Sequence, residues 1–172
     1  IDFKNSSIKG VICIGEALRT ADLKPTLLAK RIQDKWNINL FSTYASTEMS
    51  AAFTECNKFL GGHHHPELII TEIVNDNDEQ VENGALGELV ITTLGVEAMP
   101  LLRFKTGDLV RKHVEKCACG RTTYRLGPVE GRKQQMIKYK GTTLYPPAMH
   151  DAVAHFNEIK LHTIEISAND IG

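Results

Sequence analysis

The chain has 172 residues, 42% of them apolar, with 20 Lys plus Arg against 21 Asp plus Glu and a net charge of -1. That is enough apolar material for a sizeable core and excludes wholesale disorder. The even balance of charge gives no reason to expect nucleic acid or an anionic membrane as a partner. No uninterrupted apolar stretch reaches the length of a membrane span, and residues 1–10 are too polar for a signal peptide. Four cysteines at uneven spacing do not look like a secreted disulfide framework, so a reducing, cytoplasmic setting is expected. The chain starts at Ile1 rather than Met, and both ends read as cuts through a longer protein.

Residues 9–15, an apolar run closed by Gly15, read as a buried strand covered on both faces. Over residues 20–36, Leu28, Ile32 and Trp36 fall at i, i+4 spacing, one face of a helix that Thr20 or Asp22 can cap. Residues 38–44 return as a strand. Strand, helix and strand over so short a stretch predict a βαβ unit and hence a parallel sheet. Cys13, between Ile12 and Ile14, reads as a core residue.

The period then changes. Residues 67–74 and 87–93 are strand-like, with turn signals over 75–78 and at Asn83-Gly84. Residues 100–104 and 108–113 continue the series, which predicts a small antiparallel sheet or barrel beside the parallel part. Asp76-Asn77-Asp78 lacks the Gly and Glu of a calcium loop and reads as a turn. From Met136 come two short strands, a helix over 146–156 opened by Pro146, and a strand over 160–167. They predict the start of a second α/β unit, divided from the first at the polar, glycine-led stretch 131–135. His150 and His155 on that helix read as surface or satisfied core residues.

Four stretches can carry chemistry. Tyr44-Ala45-Ser46-Thr47-Glu48 follows the second parallel strand, and ligands of open α/β sheets bind outside the carboxyl ends of the strands. There a hydroxyl can donate to a phosphate oxygen and a carboxylate can hold Mg²⁺. The competing reading is a helix cap, with Ser46 or Thr47 as N-cap and Glu48 in the first turn. Lys105-Thr106-Gly107-Asp108 reads as a tight turn between strands, whose aspartate can accept from both hydroxyls of a vicinal diol. Gly15-Glu16 can let a flat base approach the backbone, or merely end a strand. Arg132 can reach a ribose or phosphate with its forked donors, or belong to a solvated basic linker.

A metal site is also readable. Cys117-Ala118-Cys119 is a paired-thiol turn, and Cys56 is followed by the run Gly62-His63-His64-His65. Thiolate and imidazole are the ligands that tetrahedral zinc prefers, and four of them close a structural site. Free thiols and a surface histidine run are the alternative.

Taken in order, these stretches resemble the adenylate-forming superfamily, which includes acyl-CoA synthetases, luciferases and peptide-synthetase adenylation domains. That family carries Tyr-Gly-x-Thr-Glu, then Tyr-Arg-Thr-Gly-Asp, then Gly-Arg-x-Asp-x-x-Ile-Lys-x-x-Gly. The counterparts here are Tyr44 to Glu48, Phe104 to Asp108, and Gly131-Arg132 through Ile137-Lys138 to Gly141, with Gly87-Glu88-Leu89 as the family's Gly-Glu-Leu strand. The stretches 95–104 and 141–146 look most like the phenylacetate-CoA ligase branch.

The resemblance implies a piece of an ATP-dependent acid–CoA ligase. Its fold would be α/β plus antiparallel β. Residues 1–132 would be the C-terminal part of the AMP-binding large domain, and residues 133–172 the beginning of the mobile C-terminal domain. Glu48 would ligate Mg²⁺ and Thr47 would contact the AMP phosphate, the two carrying the catalysis. Asp108 would bind the ribose hydroxyls, assisted by Arg132. Gly15, Glu16 and Ala17 would line the adenine pocket, with Tyr44 stacking near the base; Ala45 would flank the acyl pocket, and Ser46 would belong to the nucleotide-binding set. Ala45 stands where the family has glycine, and Gln134 where it has the hinge Asp or Lys. The phosphate loop is expected before Ile1 and the catalytic lysine after Gly172, so the chain alone is expected to turn over little. Gly-x-His or Gly-His in related ligases selects His63 over His65, giving Cys56, His63, Cys117 and Cys119 as zinc ligands.

Partners would be a small carboxylic acid, ATP and CoA; a homodimer stays open. Two other readings remain: an adenylating enzyme with a non-CoA acceptor such as a deazaflavin, and a non-catalytic, zinc-stabilised nucleotide-binding module.

Overall fold

A computed structural model describes residues 5–139, 142–156 and 158–166. Gly141 and Ser167, on which two of the expectations fall, lie outside the described residues. The chain opens with strand β1 (Gly10–Ile14), helix α1 (Leu27–Trp36) and strand β2 (Asn39–Ala45), and β1 and β2 pair in parallel. This is the predicted βαβ unit. Strand β3 (Ala52–Thr54) then turns back antiparallel on β2.

Two expectations change here. The helix starts at Leu27 rather than at residue 20, with Thr26 as N-cap accepting from the Ala29 amide. Pro25 and the left-handed Leu23 (φ 62°) keep the preceding segment out of the helix. β1 is covered on one face only. Val11 and Cys13 pack with Leu18, Ala29, Ile38 and Leu40, while Ile12 and Ile14 are 66% and 63% exposed. Among the described residues a single helix lies over this sheet, so only one set of alternating side chains is buried.

The second sheet is antiparallel. It runs β4 (Gly62–His63), β5 (Ile69–Val74), β6 (Leu86–Thr93), β7 (Phe104–His113) and β8 (Arg125–Leu126) in the spatial order β4-β8-β7-β6-β5, with β9 (Gly131–Arg132) also on β7. Ile69, Ile73, Leu89, Ile91, Val110 and Leu126 meet Met49 and Phe53 in its core. Residues 100–103 are loop rather than strand, and Lys105 to Asp108 is no hairpin turn but part of β7. Glu88 pairs with Leu109 and Val90 with Lys105, so two residues of β6 span against four of β7. The surplus is a bulge, in which Gly107 takes φ 77° at no side-chain cost.

After β9 come a 3-10 turn (Lys133–Gln135), the hairpin β10 (Ile137–Tyr139) and β11 (Thr142–Leu144), and helix α2 (Pro146–Ala154). The proline at its first turn accords with the sequence signal. Residues 160–166 form no strand, and Leu161 is 94% exposed. The alternation written there finds no partner strand among the described residues. Among the described residues no helix is long and apolar enough to cross a membrane.

Candidate functional site

A cleft of about 1090 Å³ opens where the carboxyl ends of β1 and β2 meet the edge of the antiparallel sheet. The loop after β1 contributes Gly15, Glu16, Ala17 and Arg19, and the end of β2 contributes Tyr44, Ala45 and Ser46. Asp108 enters from the β7 bulge and Arg132 from β9; Pro146, His150 and Asp151 of α2 close the far side. Gly15 has φ 88°, and a Cβ added there would meet nothing within 4 Å, so the backbone is bare toward the opening.

Asp108 is the centre of the polar wall. The bulge delivers it. Thr106 donates its hydroxyl to the Leu89 carbonyl at 2.9 Å and accepts the Asp108 amide at 3.1 Å. Asp108 and Arg132 are cross-strand neighbours, which sets carboxylate against guanidinium. Arg132 Nε donates to Oδ1 at 2.9 Å and Tyr44 Oη donates to Oδ2 at 2.8 Å. The carboxylate is 6% exposed and Arg132 63%, so the guanidinium faces solvent beside a buried anion. Each carboxylate oxygen keeps a free acceptor direction, which is what a vicinal diol requires. Burial and the neighbouring Asp108 carboxylate push the Tyr44 phenol far above its ordinary value, so it stays a hydrogen-bond donor.

Thr47 and Glu48 sit in an exposed turn one residue beyond the cleft wall, and no helix follows them. The capping reading of this motif is therefore wrong: β2 leads through the turn into β3. The Glu48 carboxyl lies below the usual range because backbone N–H and the Ser46 hydroxyl favour its charged form.

Sequence reasoning missed Arg19 and Glu55. Arg19 Nε and Nη2 reach the two Glu55 oxygens at 3.0 and 2.8 Å, and Nη2 also donates to the Leu40 carbonyl at 2.8 Å. Glu55 Oε2 accepts the Ser42 amide at 2.9 Å as well. The side chains are 3% and 1% exposed. This pair ties the β1–α1 loop, which carries Gly15 to Ala17, to the strand edge before Cys56. No signal in the sequence links the two positions. Tyr145 was missed too. Its ring packs so closely on Gly131 that a Cβ there would sit 2.3 Å from Cδ1. The hinge candidate Gln134 lies exposed in the 3-10 turn.

On the other side of β3, Cys56, His63, Cys117 and Cys119 bring their ligand atoms within 4.8 Å of one another. Cys56 and Cys117 Sγ are 3.6 Å apart, and Cys119 Sγ is 3.4 Å from His63 Nε2. The histidine run splits by strand alternation. His64 Nε2 lies 2.7 Å from the Ile69 carbonyl and its ring stacks on Tyr124 at 4.3 Å, while His65 pairs with Glu67. Backbone N–H from Arg121 holds the Cys119 thiol down at about 6, and burial raises that of Cys56.

No family model matches the chain. Its fold is that of the adenylate-forming CoA ligases: a 2-hydroxyisobutyryl-CoA ligase in the postadenylation state superposes with a TM-score of 0.77 at 24% identity over 91% of this chain and 33% of that one. The same ligase in its thioesterification state gives 0.64. In sequence the chain is similar to phenylacetate-coenzyme A ligases, at 33% identity to that of Thermus thermophilus over 78% of this chain and 31% of the relative. The Pseudomonas putida enzyme of the same name gives 27% over 83% and 33%. The chain thus spans about a third of the length of the curated relatives it matches.

Proposed function

We propose that this chain supplies the AMP-binding part of an ATP-dependent acid–CoA ligase of the phenylacetate-CoA ligase kind. The reading rests on one observation above all. The Asp108–Tyr44–Arg132 constellation shares a cleft with the bare backbone of Gly15. Residues far apart in the chain thereby meet where a nucleoside would need a diol acceptor and a flat base cradle.

A carboxylate is a poor electrophile because its oxygen leaves badly. Attack of a carboxylate oxygen on the α-phosphorus of ATP forms an acyl adenylate and expels pyrophosphate. CoA thiolate then attacks the carbonyl carbon and AMP leaves. In that sequence Asp108 holds the ribose hydroxyls, Tyr44 and Arg132 hold its carboxylate in place by their hydrogen bonds, and Gly15, Glu16 and Ala17 bed the base. Thr47 donates to the phosphate from the mouth of the cleft. Glu48, charged and exposed, is the residue that would hold Mg²⁺, which when bound offsets phosphate charge. Residues 1–132 serve as the AMP-binding portion and residues 133–172 as the start of a mobile portion, with Gln134 the hinge. The closer match to the postadenylation than to the thioesterification state of one ligase supports a hinged arrangement.

AMP titrated into the chain in a calorimeter tests the reading. Asp108→Asn should weaken binding by about 10- to 100-fold, the worth of a hydrogen bond to a charged group. Equal AMP affinity for wild type and variant would overturn the assignment. Phenylacetate-driven exchange of pyrophosphate into ATP, on protein carrying the whole ligase sequence, tests the reaction itself.

A further inference from the structure

The thiol–imidazole cluster takes no part in adenylation, and the structure assigns it a separate role: we propose that Cys56, His63, Cys117 and Cys119 bind one zinc ion that is structural.

The geometry is that of a tetrahedron's edges. Zinc–sulfur bonds of about 2.3 Å and zinc–nitrogen bonds of about 2.0 Å place ligand atoms about 3.8 Å (S to S) and about 3.5 Å (S to N) apart. The corresponding separations here are 3.6 and 3.4 Å. Two loops are built for the purpose. In one, Phe59 (φ 57°) and Gly61 (φ 91°) fold residues 56–62 tightly enough that Glu55 bridges to Gly62, which sets Cys56 beside His63. In the other, Gly120 (φ 92°) donates its amide to the Cys117 carbonyl at 3.1 Å, and the turn sets both thiols toward the first loop. Arg121 Nη1 lies 3.7 Å from Cys119 Sγ. His63 Nδ1 lies 3.3 Å from Thr123 Oγ1, which leaves Nε2 free for a metal.

Charge provides an independent argument. Arg125 is the cross-strand neighbour of His63 and is 4% exposed. Its guanidinium meets backbone carbonyls at Leu60 and Glu115, its Nε has no partner among the described residues, and the Glu115 carboxylate stands 3.5 Å away and 74% exposed. A buried cation so thinly paired is costly. Three thiolates and a neutral imidazole around Zn²⁺ carry one negative charge, which is the counter-charge this position calls for.

The consequence is a staple between the β3–β4 connection and the β7–β8 connection. Glu55, Gly61 and Gly62 on the stapled loop also line the nucleotide cleft, so the metal holds one of its walls.

Protein purified without added metal should contain one zinc per chain by elemental analysis. Replacement by Co²⁺ should give the intense visible bands of a tetrahedral thiolate site. On the wild-type protein, a mercurial titration should release that zinc as three thiols react. His63→Ala should lower zinc affinity by more than the roughly 10- to 100-fold that an outer-shell change costs, and His65→Ala should leave it unchanged. Zinc-free protein with all thiols reactive and an unchanged circular dichroism spectrum would overturn the proposal. So would a disulfide between Cys56 and Cys117, a weak octahedral cobalt spectrum, or zinc loss on His65→Ala instead of His63→Ala. None of these readouts depends on nucleotide or acid, so the adenylation reading stands or falls separately.

Discussion

Glu55→Ala is the sharpest test of how the cleft is held. Glu55 accepts three hydrogen bonds, two from Arg19 and one from the Ser42 amide, with its side chain 1% exposed. Its removal leaves a buried guanidinium held by the carbonyls of Leu40 and Leu18 and by the face of the Phe59 ring, 5.3 Å away, with no counter-charge among them. Breaking a buried pair in this way costs about 3–5 kcal/mol, whereas replacing both partners by apolar residues is often neutral. At roughly 2–4 °C per kcal/mol for a chain of this size, the single variant should melt roughly 6–20 °C lower. The double variant Arg19→Met with Glu55→Leu should recover most of that loss. Urea unfolding of wild type, both singles and the double closes the cycle. If Glu55→Ala costs under about 1 kcal/mol, water reaches the pair from the cleft and the burial argument fails.

Two other outcomes are expected. Gly131→Ala drives a methyl into the Tyr145 ring and should shift α2 away from the cleft; a rise in the solvent exposure of Tyr145, seen as a change in its ultraviolet difference spectrum, checks it, and an unchanged spectrum refutes the contact. Burial lowers the pKa of His64 and of His113 from 6.5. Protonation therefore favours the unfolded chain. Stability should be full above about pH 6.5 and lost as pH falls through the lower folded values. His113→Gln should flatten that slope in thermal unfolding followed from neutral to mildly acid pH, and an unaltered slope would count against it.

Much of the fold was legible because its signals are local. The run before Gly15, the helix carrying Ile32 and Trp36, and Pro146 at a helix start each depend on a few adjacent residues, although the buried face runs through Ala29 and leaves Leu28 45% exposed. The bulge was not. Thr106-Gly107-Asp108 has the composition of a turn, and only the pairing of β7 with β6 reveals a strand carrying surplus residues. Pro25 carried a warning that the apolar spacing on either side concealed. In the site, residue types could be nominated but partners could not. Tyr44, expected to stack, gives its hydroxyl to Asp108. The Arg19–Glu55 pair joins positions that nothing in the sequence links. The Cys-x-Cys turn was readable, while the split of the histidine run among metal cluster, aromatic stack and surface depends on the short strand β4.

The half-covered strand β1 bears on how the isolated chain behaves in solution. Among the described residues β1 is the outer strand of its sheet, and Ile12 and Ile14 present branched aliphatic groups outward from it. Such a margin offers both backbone donors and a greasy stripe to any extended peptide. Self-association along that margin is the expected behaviour at high concentration, and lysine at Ile12, which lies outside the cleft lining, is the remedy the geometry suggests.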